Sequence, residues 1–159
     1  MRTSNIKVKN KIVSVYFLLF IFVVYLLVVF NVFTDFGNIA SHTFLLLVFG
    51  VAFLFFLIYI ISKYFEYNSD GLNLILINRG FILSEYFNYR EHVVEFDKTD
   101  LVAFKFQNYI VYQRLVLYYK TKNGNKIKSC FNVTLLAKKK QNYISQSLKK
   151  ILKNNLQNN

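Results

Sequence analysis

Charge is missing where a soluble chain would carry it: between Lys11 and Lys63 the only charged residue is Asp35. With no Lys, Arg, Asp or Glu inside the two apolar runs that fill this gap, the usual ion pathway or proton relay through a membrane has no parts. Proline and tryptophan are absent altogether. The single cysteine, Cys130, excludes an intrachain disulfide and a Cys-rich metal site, and reads as a small half-buried hydrophobe on a strand. His42 and His92 are the only histidines, too few for a multi-His metal centre, and the orientation argued below puts them on opposite sides of a membrane. The five glycines, at 37, 50, 71, 80 and 124, are too scattered for a phosphate-cradling loop. No catalytic residue, metal or cofactor is expected from these parts, and the chain reads as non-enzymatic.

What fills the uncharged gap is two apolar runs. Residues 12–33 form a run of 22 whose only clearly polar members are Ser14 and Asn31, and residues 44–61 a run of 18 interrupted only by Gly50. At about 1.5 Å rise per residue each approaches the roughly 30 Å hydrocarbon core of a bilayer, where a helix satisfies its own backbone. A cleaved signal peptide has an apolar region of about 7–15 residues ending in small residues. The first run is longer and ends in Asn31-Val32-Phe33-Thr34. The expectation is therefore a two-helix transmembrane hairpin over residues 12–62. Gly50-Val51-Ala52 offers it a small-residue packing patch.

Orientation follows from the lysines, since basic flanks stay cytoplasmic. Residues 1–11 carry Arg2, Lys7, Lys9 and Lys11, whereas the link at 34–43 carries only Asp35 and His42. Both termini are expected in the cytoplasm of a multi-pass inner-membrane protein. Beyond Ile61 lie 16 of the 20 Lys and Arg and 7 of the 8 Asp and Glu, a surplus of +9. That part, residues 63–156, is long enough for one small core and leaves a disordered tail at 157–159.

Within it the apolar pattern becomes alternating. Asp70-Gly71, Asn78-Arg79-Gly80 and Asn123-Gly124 supply turns, with Leu72, Leu74 and Leu76 on one face of the first clear strand. Residues 81–87 and 90–96 follow as strands. Residues 101–121 are too long for one strand and divide at Gln107-Asn108 into 101–106 and 110–121. The second piece turns at Asn123-Gly124 into 126–131, where Ile127, Ser129 and Phe131 oppose Lys126, Lys128 and Cys130. From residue 134 to 153 the period becomes helical, with Ile144, Leu148, Ile151 and Leu152 in one stripe and Asn132 or Thr134 as the cap.

Two membrane helices, a set of antiparallel strands and a closing helix resemble the membrane-anchored bacterial proteins with a pleckstrin-homology-like domain. The likeness is carried by Glu66-Tyr67-Asn68-Ser69-Asp70-Gly71-Leu72, by Asn78-Arg79-Gly80, by Phe96-Asp97-Lys98-Thr99-Asp100-Leu101 and by the helix from Thr134. It implies an α+β membrane protein with an antiparallel PH-like β-barrel or curved sheet capped by a C-terminal α-helix, in a family used for binding or assembly.

A basic surface held within a Debye length of an anionic leaflet meets headgroups first, at about 1 kcal/mol per Lys or Arg. Membrane lipids are thus the first expected partner, with Lys120, Lys122, Lys126, Lys128, Lys138, Lys139 and Lys140 as the expected basic contact surface. Binding of a protein partner belongs to the same first reading, and the alternative is a homo-oligomer or scaffolding subunit of a membrane complex with no specific lipid ligand. Interleaved aromatic and basic residues such as Tyr118-Tyr119-Lys120 also suit nucleic acid, but no RNA-binding signature accompanies them. Glu91, Glu95, Asp97 and Asp100 form the one acidic spot, a solvated turn without the spacing of a calcium loop.

Overall fold

The structure, a computed structural model, describes the backbone of residues 1–33, 39–80, 92–121 and 123–157, and their side chains except at 30–44. The strand expected at 81–87, Glu91, Lys122 and residues 34–38 of the link expected at 34–43 lie outside the described residues. The chain is α+β: an N-terminal apolar helix, two antiparallel sheets and a C-terminal helix. It divides into two compact units, Asn10–Ile60 on one hand and Met1–Lys9 with Ile61–Asn159 on the other.

The first unit is built from α1 (Lys9–Phe33) and α2 (Ile39–Ile61). Past Lys11 in α1, and over Leu45–Ile61 in α2, the sequence is apolar on every face. The stretch Ile6–Val29 is long and apolar enough to cross a membrane, and none of it is buried. It is the only such helix among the described residues, Leu45–Ile61 being a shorter apolar one. Tyr16 and Phe55 bring their rings to 6.0 Å. Both helices start earlier than their apolar runs. No proline or glycine stands between Asn38 and Phe44 to stop the second.

The β unit uses residues from both sides of those helices. β1 (Arg2–Ser4), expected only as basic flank, pairs with β2 (Lys63–Asn68), which pairs with β3 (Asn73–Gly80), which pairs with β4 (His92–Asp97). A 3-10 turn at Lys98–Asp100 leads to β5 (Leu101–Asn108), β6 (Gln113–Lys120) and β7 (Lys126–Asn132), a second sheet of three. No ladder closes the two sheets into a barrel among the described residues. The β2–β3 and β6–β7 turns each need a residue with positive φ, which Gly71 (+71°) and Gly124 (+79°) supply.

Period-two alternation aims Phe65, Tyr67, Leu74, Leu76, Val94 and Phe96 from one sheet at Leu101, Leu115, Leu117 and Phe131 from the other. Leu72, expected beside Leu74 and Leu76, precedes β3 and is 86% exposed. α3 (Lys138–Gln157) closes the core with Ile144, Leu148 and Ile151, each such burial worth roughly 1.5–3 kcal/mol. It begins after Thr134 because that residue is used elsewhere: its Oγ1 accepts from the Gln113 backbone N–H at 2.9 Å and lies 2.7 Å from Asn132 Oδ1. It also outlasts the expected end at 153. Asn155 Nδ2 donates to the carbonyls of Lys98 (2.8 Å) and Thr99 (3.1 Å), which holds the last turn.

The registers define two ends of this unit. Lys63 lies opposite Gly80, and Asn78 opposite His92, at one end; Asn68 lies opposite Ile75 and Asn73 opposite Asp97 toward the other. Asn78 Nδ2 donates to Tyr64 O (2.9 Å) and Asn132 O (3.0 Å), and Asn132 lies opposite Arg114, so this part of the second sheet shares the Lys63 end. That end is the root, because there the chain passes to both helices.

Candidate functional site

At the root the chain is pinned by one buried amide. Asn5, 2% exposed, donates from its backbone N–H to Phe65 O (3.1 Å) and from Nδ2 to Lys63 O (2.9 Å), and its Oδ1 accepts from the Phe65 N–H (2.9 Å). A buried asparagine so used extends the β1–β2 ladder by side chain where the backbone has begun to turn toward α1. The two connections to the helical segment therefore leave the β unit side by side.

Beside Asn5 opens a cleft of about 590 Å³ lined by Arg2, Ser4, Lys7, Tyr64, Glu66 and Lys140. Glu66, 8% exposed, projects from the middle of β2, and buried carboxylates persist only when paired. Arg2 Nε donates to its Oε1 at 2.5 Å, and the Tyr64 hydroxyl donates to its Oε2. Burial by itself would raise the Glu66 pKa, but these two hydrogen bonds and the charges of Arg2 and Arg79 outweigh it and hold the carboxyl below its ordinary value. The same pair pushes the Tyr64 phenol up, through burial first and the Glu66 carboxylate second. The Arg79 guanidinium lies 4.9 Å from the centre of the Tyr64 ring, and Lys140 Nζ donates to Ser4 O at 2.5 Å.

Arg2 is paired with Glu66, so Lys7 and Lys140 leave the cleft net positive. It offers the ammonium groups of Lys7 and Lys140 as donors. Ammonium groups such as these hydrogen-bond anions more strongly than neutral donors do.

The structure splits the basic surface expected from sequence. Lys138, Lys139 and Lys140 begin α3 at the root, where Gln141 Nε2 donates to Gln113 Oε1 at 2.8 Å. Lys120, Lys126 and Lys128 stand at the opposite end of the β6–β7 hairpin, with Lys120 opposite Lys126, and Lys122 lies outside the described residues. Lys120 also lines a cleft of about 530 Å³ with Glu95, Asp97 and Asp100, so that end is mixed in sign. Asn73 Nδ2 donates to Glu95 Oε1 there, at 2.7 Å. His92 is exposed and rests its ring on the buried Phe131 at 5.0 Å, and Cys130 is exposed. No three His, Cys, Asp or Glu side chains converge on a possible metal position among the described residues.

Arg2, Lys7, Tyr64 and Glu66 escaped the sequence reading of the site. Glu66 alone left a signal: a single acid amid Tyr64, Phe65 and Tyr67 in an otherwise apolar strand, where burial forces it to find a cation. No family model, curated protein or solved structure matches this chain.

Proposed function

We propose that the chain is a non-enzymatic membrane protein that crosses the bilayer twice, through a hairpin of α1 and α2, and binds anionic phospholipid headgroups on the cytoplasmic face at the root of its β unit. The observation that carries this reading is the β1–β2 pairing with Asn5 as its clamp. Arg2–Ser4 precedes the apolar segment and Lys63–Asn68 follows it, yet they are hydrogen-bonded neighbours. One crossing would leave them on opposite faces of a membrane, so the count of crossings is even. The link at 34–43 then faces the outside, and the basic flanks keep the root in the cytoplasm.

Lys7, two residues before α1, and Lys140, whose Nζ donates to Ser4 O, line the cleft beside the point where the chain leaves the β unit. Such cations sit within reach of an anionic leaflet, at about 1 kcal/mol each. The four-plus-three strands with a terminal helix also support the pleckstrin-homology-like reading of the fold, with the helical pair inserted after the first strand.

The test is a thermal titration of the full chain in detergent micelles with short-chain phosphatidylglycerol or phosphatidylcholine. A ligand at 100 times its Kd stabilises the state it binds by about 2.7 kcal/mol. Phosphatidylglycerol raises Tm in a salt-sensitive way and phosphatidylcholine does not. An equal shift with both lipids overturns the reading.

A further inference from the structure

The hairpin between β5 and β6 ends in Tyr109-Ile110-Val111-Tyr112, four apolar or aromatic residues where surface turns carry Gly, Asn or Asp. The turn is ordered from beneath. The Tyr109 N–H donates to Tyr112 O at 2.9 Å, and the two rings stack 5.0 Å apart at 9°. The Arg114 guanidinium lies 4.8 Å from the centre of the Tyr109 ring, donates to its hydroxyl, and through Nε donates to Gln107 Oε1 at 2.8 Å. All this order serves an apex turned out to solvent: Ile110 is 104% exposed, and Val111 is half covered at 50%.

Its place in the fold says what it meets. Gln113, the first residue of β6, is bonded to Thr134, and Arg114 lies opposite Asn132, which Asn78 ties to Tyr64 O. Tyr64 follows Lys63, two residues past the end of α2. The tip thus projects from the root, and at about 3.3 Å per strand residue its apex stands on the order of 10 Å beyond Arg114. Two tyrosines flanking an aliphatic apex, with Arg114 below and Lys138, Lys139 and Lys140 at the same end, have the chemistry of a bilayer interface: an apolar point, amphipathic rings at headgroup depth, and cations for the anionic surface.

We propose that residues 109–112 dip into the cytoplasmic leaflet as a third attachment beside the two chain connections, fixing the tilt of the β unit so that its basic cleft faces headgroups. This rests on the membrane placement proposed above and adds a separate contact to it.

The absence of tryptophan from the chain makes the test direct. Full-length Ile110→Trp is reconstituted into phosphatidylcholine–phosphatidylglycerol vesicles whose acyl chains are brominated, with Leu72→Trp, exposed at the other end of the unit, as the reference. The expected result is blue-shifted, strongly quenched emission from Trp at 110 and red-shifted, unquenched emission from Trp at 72. Emission from 110 as red and unquenched as that from 72 overturns the proposal, and so does blue-shifted but unquenched emission, which marks cover by protein, such as a second copy. Loss of quenching with the phosphatidylglycerol thermal shift intact would sink the tip alone. Quenching without any preference for phosphatidylglycerol in that titration keeps the tip and removes the headgroup site.

Discussion

Asn78 and Asn132 hold the two sheets together by a reciprocal pair of bonds: Asn78 Nδ2 donates to Asn132 O at 3.0 Å, and the Asn132 N–H donates to Asn78 Oδ1 at 3.2 Å. Among the described residues the two sheets share no ladder and otherwise meet through side-chain packing, so this pair ties them together at the root. Asn78→Ala removes both bonds and the one to Tyr64 O, all three in a part-buried place. The expected loss is about 1–3 kcal/mol, read as a lower Tm of the full chain in detergent. Asn78→Asp keeps the acceptor and loses both donor bonds, and it does not restore the wild-type Tm.

Glu66 gives the β unit an acid-sensitive element. Its folded-state pKa lies below the ordinary 4.5, so its contribution to stability is complete above that value and fades as pH falls through the folded pKa. Glu66→Gln lowers stability at neutral pH by about 1–3 kcal/mol, because Arg2 and Tyr64 lose a charged acceptor. The variant also flattens the acid limb of Tm against pH below the ordinary carboxylate range. A parallel acid limb in wild type and variant contradicts the pairing.

The C-terminal helix is held at both its middle and its end. Leu148→Ala empties a fully buried position and costs about 2–5 kcal/mol in denaturant or thermal unfolding. Asn155→Ala costs about 1 kcal/mol, and its signature is local: faster amide hydrogen exchange over the last turn of α3, with the core amides unchanged.

Charge reversal distinguishes the two ends of the β unit. Lys7→Glu with Lys140→Glu abolishes the Tm rise caused by phosphatidylglycerol. Lys126→Glu with Lys128→Glu, at the far end, leaves that rise unchanged. Raising the salt, which shortens the screening length from about 8 Å at 0.15 M to 3 Å at 1 M, reproduces the first result in the wild type.

Much of the β unit is legible in local pattern. The alternation of Leu115, Leu117 and Tyr119 and the Asn123-Gly124 turn give β6, β7 and their hairpin, because strand faces and turn geometry depend on neighbours in sequence. The stripe of Ile144, Leu148 and Ile151 likewise marks α3, though its start moved from Thr134 to Lys138 once Thr134 bonded Gln113. What could not be read is what depends on pairing across the helical insertion. Nothing local in Arg2-Thr3-Ser4 distinguishes a strand from a charged flank, and Asn5 reaches Lys63 and Phe65 only through the fold. The lysines are placed in sequence by the Asn123-Gly124 hairpin and the helix start, and neither local mark says that Lys120 and Lys140 stand at opposite ends of the β unit.

The count of crossings is the claim on which the rest depends, and the chain's one cysteine makes it measurable. A membrane-impermeant maleimide is applied to intact cells carrying either the natural Cys130, which is exposed on β7, or Gly37→Cys in a Cys130→Ser background. The account predicts labelling at position 37 in intact cells and at Cys130 only after the membrane is opened. Labelling of Cys130 in intact cells, or of neither position until the cells are opened, contradicts it.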